Sequence, residues 1–368
     1  MNLTSLLRQG LDQGVFPGAS ATVFHGERCV HEDACGVRWL DGPPVDVTTR
    51  FDLASLTKIL ATLPALLRLA DLRELSIDDR VTRFWPAFGA RGKADLTLRM
   101  LLTHASGLPA WKPLFLESVA PLTSVERSEV DRPPWTEATY SDLGFIALGS
   151  VVERVTGMRL DDFVREEVHV RLGLEDQMGF RPIGVESTAD LNIAATGLWR
   201  PREPAAGQEG LVPAPPPNVE LPAPRPGEVD DDNALAMGGV SGHAGLFGTA
   251  RGVGLFGARV FEELEGARRL ASVELWREAC RRDARTPNST RALGFDTPSA
   301  EGSSAGPSIA ASRAVGHLGF TGTSLWIDLD RQLAIALLTN RVHPTRGNDA
   351  IKAFRPQFCE AALQEFVP

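Results

Sequence analysis

Ser55 and Lys58 stand three residues apart in the run Phe51-Asp52-Leu53-Ala54-Ser55-Leu56-Thr57-Lys58. Farther along, Tyr140-Ser141-Asp142 contains the only tyrosine in a chain with 17 Phe and 7 Trp. A single phenol retained beside Ser-Asp, where other rings are plentiful, points to use of the phenol itself. A third run, Gly316-His317-Leu318-Gly319-Phe320-Thr321-Gly322-Thr323, lies near the C-terminus. A serine hydroxyl is a poor nucleophile until a base takes its proton. On a helix, positions i and i+3 share a face with Cβ atoms about 5–6 Å apart, so Lys58 reaches Ser55. Burial and nearby positive charge lower a lysine's pKa and let it act as that base. Tyr140 can relay the proton or, as a phenolate beside Lys58, take it directly. A helix start leaves its N–H groups unpaired, which makes the Ser55 backbone N–H a natural oxyanion donor.

These residues need elements to hold them. The periodicity predicts a helix over Leu3 to Gln13 and a hairpin from Gly18–Phe24 and Arg28–Val37 around His25-Gly26-Glu27. A helix follows Ser55, its buried stripe formed by Leu60, Leu63, Leu66, Leu67 and Leu69. Further helices are expected over Leu98–Thr103, Leu143–Val155, Leu160–Val170, Gly252–Leu264 and Val273–Arg282. Three strand-like runs follow, Ser312–Leu318, Thr323–Leu329 and Gln332–Asn340. A closing helix spans Ala350–Phe366, with Asn348 as its candidate N-cap. Residues 201–230 hold nine of the chain's 26 prolines and read as a surface loop. The order implies an α/β (α+β) fold. Its antiparallel sheet is built from both chain ends, residues 1–58 and 240–368, around an inserted, mainly helical region, 59–239. The two regions make one intimate catalytic unit.

Hydrophobic content of 43% fits a globular core, and a net charge of −9 argues against a nucleic-acid or anionic-membrane surface. The first residues have no basic n-region, and no apolar run approaches the length of a membrane span. The four cysteines lack zinc or disulfide-framework spacing. Cys29 and Cys35 fall too far apart on one strand to bond each other. A cytoplasmic location is the simple expectation. Gly302-Ser303-Ser304-Ala305-Gly306 has nucleophile-elbow spacing but lacks the strand and helix that motif requires. His104 beside a turn reads as structural, and His243 between glycines as a residue that lines a cleft or merely packs. His25 and His31 have no partner at metal-ligand spacing. Asp231 and Asp232 read as solvated loop charges, and Trp111 and Trp199 as packing residues that could wall a pocket.

Ser-x-x-Lys, a Tyr-x-Asn-type middle motif and a Gly-rich third motif, in this order, resemble the serine β-lactamase and penicillin-binding protein-like superfamily. The chain is most similar to the class C β-lactamase-related branch, which includes family VIII esterases. Leu101-Leu102-Thr103-His104-Ala105-Ser106-Gly107-Leu108, Gly242-His243-Ala244-Gly245-Leu246-Phe247 and Leu338-Thr339-Asn340-Arg341-Val342-His343-Pro344 extend the resemblance over nearly the whole chain. It implies the β-lactamase/transpeptidase-like fold, with Ser55 as the acylated nucleophile and Lys58 and Tyr140 as the proton-transfer pair. The N–H groups of Ser55 and Phe320 would form the oxyanion hole. Asp142, His317, Leu318 and Gly319 would be substrate-binding positions. No metal or organic cofactor is implied.

Three positions depart from the family pattern. Asp142 replaces an Asn whose amide could donate to a substrate carbonyl, and an ionised Asp cannot donate. Asp142 would instead favour a charged Lys58, shifting base duty towards Tyr140. His317 stands where Lys is usual, and Leu318 removes a threonine hydroxyl that helps bind a substrate carboxylate. The expected reaction is therefore serine hydrolysis of a small neutral acyl ester. The alternatives are β-lactamase or D-amino-acid peptidase activity, or a penicillin-binding protein that acylates with little turnover. The expected partner is a small ester or amide substrate, with no nucleic acid and no membrane.

Overall fold

The run Leu333–Thr339 is apolar up to its final threonine, and all seven residues are buried. Leu333, Ile335 and Leu337 face one hydrophobic cluster, while Ala334, Ala336 and Leu338 face another. Such a continuous apolar strand belongs at the centre of a sheet covered on both faces. The computed structural model, which describes residues 2–182, 191–198 and 223–367, places it there. Trp199 and residues 201–222 of the proline-rich segment lie outside the described residues.

The strands, in chain order, are β1 (Gly18–His25), β2 (Arg28–Gly36), β3 (Phe51–Asp52), β4 (Met178–Phe180), β5 (Leu246–Gly248), β6 (Ala314–Leu318), β7 (Ser324–Asp328) and β8 (Leu333–Thr339). The main sheet has the order β2-β1-β8-β7-β6, and every pairing in it is antiparallel. The N-terminal hairpin thus pairs with the last strand, as the order of elements predicts. β3, β5 and β4 form a small second sheet. One face of the main sheet carries the helices Leu3–Asp12 and Ile351–Phe366, joined through Leu3, Leu7, Phe354 and Phe358. The other carries Ala250–Leu264, which lies close because Gly257 faces the Ala334 methyl, where a Cβ would come within 2.4 Å. Beyond it lie the helices Leu63–Asp71 and Asp142–Thr156.

Asn348 does not cap the last helix as expected. Ala350 occupies that position without a side-chain cap. The Asn348 carboxamide instead accepts from the Ala350 N–H and donates to the carbonyls of Gly14 and Val15, tying the two termini together. Asp231 and Asp232 also depart from the expectation of loose loop charges. Asp231 caps the Asp232–Ala236 helix by accepting from Ala234, and Asp232 pairs with Arg346 at 2.9 Å. Cys29 and Cys35 lie on β2 as free thiols. Among the described residues, no helix is long and apolar enough to cross a membrane.

One contact fixes the distance between the helical region and the segment carrying His243. Gly149, within the Asp142–Thr156 helix, packs directly on Gly242, and Gly242 in turn lies under the Phe145 carbonyl. A Cβ at Gly242 would come 2.1 Å from that oxygen and 2.8 Å from Gly149 N. The Thr62 hydroxyl pins the same segment by donating to Gly242 O at 2.6 Å. Gly242→Ala should therefore cost about 1–3 kcal/mol through overpacking, read as a Tm lower by several degrees. An unchanged Tm would show that the two segments can separate freely.

Candidate active site

Ser55 sits on a constrained turn. Ala54, just before it, has φ +47, a region that residues with a Cβ seldom occupy. The buried Asp52 holds that turn, accepting from Ala54 N–H at 2.8 Å and from Asp230 N–H at 2.6 Å. Burial raises the Asp52 pKa to about 7. From the third motif, the Thr321 hydroxyl donates to Asp52 O and the Thr323 hydroxyl to Leu53 O. The expected helix after Ser55 exists but is irregular: a tight turn over Ala54–Leu56, a widened one over Lys58–Thr62, then α-helix over Leu63–Asp71. Leu60, Leu63, Leu66, Leu67 and Leu69 are buried as the stripe predicts.

Lys58 is completely buried, and its ammonium group donates to three acceptors from three parts of the chain. These are Ser55 Oγ at 3.0 Å, Asp142 Oδ1 at 2.8 Å and the His243 carbonyl at 3.1 Å. Burial pulls the Lys58 pKa down, but the Asp142 carboxylate and then Tyr140 outweigh it and hold the pKa above its ordinary value. Burial alone would have lowered it, as for any lysine in a tight cleft, but the carboxylate at position 142 favours the charged form, as its residue type implies. Asp142 is directed at Lys58. It begins the Asp142–Thr156 helix, where a carboxylate also suits the helix dipole.

Tyr140 lies beside Lys58, whose Nζ is 4.9 Å from the centre of its ring, and it lines the same cleft as Ser55. Burial is the main cause that raises its pKa, while Lys58 pulls the other way. Its ring lies between those of His104, 4.5 Å away, and His317, 5.7 Å away. His104 has the structural role expected of it: its Nδ1 accepts from Ser141 N–H at 3.0 Å, holding the segment that carries Tyr140. His317 Nδ1 lies 2.8 Å from the Leu318 carbonyl. Nδ1 therefore carries the proton, and Nε2 is left as an acceptor. Burial, then the positive charges of Lys58 and Arg291, hold the His317 pKa well below the ordinary histidine range. The imidazole is neutral at pH 7.

Ser55, Tyr140, His317, Leu318, Gly319 and Phe320 all line one cleft of about 340 Å³. Gly319 is crowded: a Cβ there would come 1.9 Å from Thr323 Oγ1 and 2.7 Å from Leu53 O. The cleft also holds four arginines, Arg291, Arg341, Arg346 and Arg355, of which only Arg341 falls in a run that the sequence pattern marks, and none is expected there as a site residue. Arg291 lies over the Tyr140 ring at 5.2 Å and pairs with Asp296 at 3.3 Å. Trp111 is half-buried and does not line this cleft.

Asp231 and His243 are paired behind Lys58. His243 Nε2 lies 2.9 Å from Asp231 Oδ1, and its Nδ1 lies 2.8 Å from Ser241 Oγ. Burial would raise the Asp231 pKa, but His243 beside it holds the group well below the usual carboxylate range. Ligand atoms of Asp142, Asp231 and His243 lie within 4.8 Å of one another. The Lys58 ammonium already places a positive charge on Asp142, and the His243 ring is engaged by Asp231 and Ser241. The Gly302–Gly306 run forms turns ahead of the short helix Pro307–Ala310, with no strand leading into it.

The family model described as Beta-lactamase matches residues 3–356. N-acetylmuramyl-L-alanine amidase of Bacillus subtilis (strain 168) is 30% identical, over 89% of this chain and 78% of its own. A protein of Escherichia coli (strain K12), described as a candidate D-alanyl-D-alanine carboxypeptidase, is 29% identical over 92% of this chain and 81% of its own. Among solved structures, EstCE1, a hydrolase with promiscuous acyltransferase activity, matches with a TM-score of 0.72 at 21% identity, covering 98% of this chain and 97% of that one. These likenesses carry the fold, the β-lactamase/transpeptidase-like one expected from the motifs.

The Lys58 pKa gives a pH prediction. Lys58 and Tyr140 both stand above their ordinary values, so each is protonated at pH 7 and one proton must leave before the pair can accept. Wild-type kcat/KM should climb through neutral into alkaline pH, by up to about tenfold per unit below the base's pKa. Asp142→Asn removes the largest upward influence and leaves burial to dominate, so the rise should move to lower pH. A profile in Asp142→Asn that coincides with wild type would remove Asp142 from control of the base.

Proposed function

The chain belongs to the beta-lactamase family, whose members are serine hydrolases, and we propose that it hydrolyses an ester or amide through an acyl-enzyme on Ser55. The observation that carries this is the 3.0 Å contact between Ser55 Oγ and the buried Lys58 ammonium, with the Tyr140 ring beside that ammonium. Loss of one proton leaves Tyr140 as a phenolate beside Lys58, or Lys58 as a neutral amine. Ser55 Oγ then attacks the substrate carbonyl carbon as its proton passes to that pair. Negative charge develops on the carbonyl oxygen, against the N–H groups of Ser55 and Phe320. Collapse breaks the bond to the leaving group, which takes the proton from Tyr140 or Lys58. Water then repeats the attack on the acyl-serine, and Ser55 regains its proton.

Within this class the third motif favours small neutral acyl esters. His317 carries no positive charge at neutral pH, and Leu318 has no hydroxyl, so a substrate carboxylate placed there would lack its usual donors. Burying a charge without a partner costs several kcal/mol. A second reading is favoured by Arg291, a guanidinium beside Tyr140 that could hold a substrate carboxylate, and by the two relatives named for an amidase and a carboxypeptidase. That reading makes the chain an amidase or peptidase acting on carboxylate-bearing muropeptide-like substrates.

A fluorophosphonate probe should label the protein once, on Ser55, and Ser55→Ala should abolish turnover while leaving Tm near wild type. Labelling at Ser304 would sink the assignment. Tyr140→Phe should lose at least about tenfold in kcat, the low end of general-base effects. Assayed side by side, p-nitrophenyl acetate should be hydrolysed far faster than nitrocefin or D-alanyl peptides. Its advantage should show no inflection near pH 6.5, because His317 is already neutral there. The reverse order of substrates, with a loss in Arg291→Gln confined to the free-acid peptides, would establish the second reading instead.

A further inference from the structure

Arg355, on the closing helix Ile351–Phe366, is a buried arginine with no acidic partner among the described residues. Only 6% of it is exposed, and it lines the same cleft as Ser55. A guanidinium in such a place ordinarily sits on a carboxylate, because desolvating an unpaired charge is expensive. Here its Nη2 donates to two backbone carbonyls, Gly319 O at 2.8 Å and Thr323 O at 2.9 Å, and its Nε has no partner among the described residues. Burial, then the charge of Arg341, pushes its pKa down to about 9, which still leaves it charged at neutral pH.

The Gly319 carbonyl belongs to the same peptide unit as the Phe320 N–H. We propose that Arg355 is a positioning residue for the oxyanion hole, holding and polarising the Gly319–Phe320 peptide through its carbonyl. The inference rests on the reading that Phe320 N–H is an oxyanion donor. A charge-assisted hydrogen bond to the oxygen of a peptide draws electron density from its nitrogen, so the N–H at the other end becomes a stronger donor. The same bond fixes the plane of the peptide and hence the direction of the N–H. Among the described residues, Phe320 N–H has no acceptor of its own.

The surroundings support the assignment. The Gly319–Thr323 turn closes on itself through Gly319 N–H to Thr323 O at 2.7 Å, so Arg355 grips both ends of one loop. The next carbonyl, Phe320 O, accepts from Arg341 at 2.8 Å. Two cations thus hold the carbonyls on either side of the Phe320 N–H. Thr321 and Thr323 tie the loop to the turn before Ser55, so the two proposed donors are held in one frame. An arginine retained only for packing would not need to bring an unpaired charge to this peptide.

The test compares a carboxylic ester with the thionoester of the same acid and alcohol, in which sulfur replaces the carbonyl oxygen. Sulfur accepts hydrogen bonds poorly, so the ratio of the two kcat/KM values reports how much the oxyanion donors contribute. Wild type should favour the oxygen ester far beyond the ratio for hydroxide-catalysed hydrolysis. Arg355→Met should lower that ratio by about tenfold, a fraction of what loss of a whole oxyanion donor causes. Its effect should fall on kcat, with KM nearly unchanged. Arg355→Lys keeps a cation and most of the volume. It covers the case in which Arg355→Met fails to fold, and it should show a smaller loss in the same ratio. If the folded variants lose activity equally on both esters, or keep the wild-type ratio, Arg355 acts only on structure and the proposal is wrong. A wild-type ratio equal to that of hydroxide would instead remove the oxyanion role of Phe320, and with it the role of Arg355.

Discussion

The buried ammonium of Lys58 is the constraint on which the rest of the arrangement depends. A charge with no exposure to water must have its hydrogen bonds met inside the protein, or it would neutralise instead. Its three acceptors come from positions 55, 142 and 243, which are remote from one another in sequence. Each acceptor must therefore be delivered to within a few tenths of an ångström by a different element. The helix that begins at Asp142 supplies the carboxylate, and the Gly149–Gly242 contact sets how near the His243 carbonyl can come. The turn at Ala54 sets Ser55. Much of what is unusual in the backbone follows from serving one cation.

The same cation organises the charges around it. Asp142 keeps Lys58 protonated, and Lys58 in turn helps keep His104 and His317 neutral. Tyr140, between those two neutral imidazoles, is the group whose ionisation the site can best accommodate, since a phenolate would sit against the ammonium. Burial still opposes it, and the two effects compete on one side chain. On the proposed mechanism this competition would set how much base is present at a given pH, and Asp142, through Lys58, would govern a proton it does not itself carry.

Much of this was legible in the sequence because it is local or periodic. The helix stripe after Ser55, the terminal hairpin and the three closing strands depend on runs of neighbouring residues, and all appear within a residue or two of where the pattern places them. Ser55, Lys58 and Tyr140 were visible through spacing and scarcity. What was not legible depends on contacts between distant segments. Asp231 reads as a loop charge until His243 is placed against it, and Asn348 reads as a cap until Gly14 and Val15 lie beside it. Arg291 and Arg355 have no local signature, because they act on Tyr140 and on the Gly319 carbonyl from elsewhere in the chain. That Asp142 favours a charged Lys58 is legible from its residue type, whereas its outweighing of complete burial depends on the helix that brings the carboxylate to 2.8 Å.

The cleft's positive charge is therefore less available than its composition implies. Arg346 is taken by Asp230 and Asp232, Arg341 by the carbonyls of Phe320, Arg346 and Asn348, and Arg355 by those of Gly319 and Thr323. Their common effect is to stiffen the third motif and the chain that follows β8. Among the described residues, Arg291, partly offset by Asp296, is the guanidinium that remains beside Tyr140, and Lys352, paired with Asp349, also lines the cleft. On the proposed reading, discrimination between a neutral ester and an anionic peptide would come down to a few side chains: the Arg291 guanidinium, the neutral His317 imidazole and the methyl groups of Leu318. None of these three side chains is an acceptor of the Lys58 ammonium, so in this fold the groups that would select a substrate are separate from those that hold the buried charge.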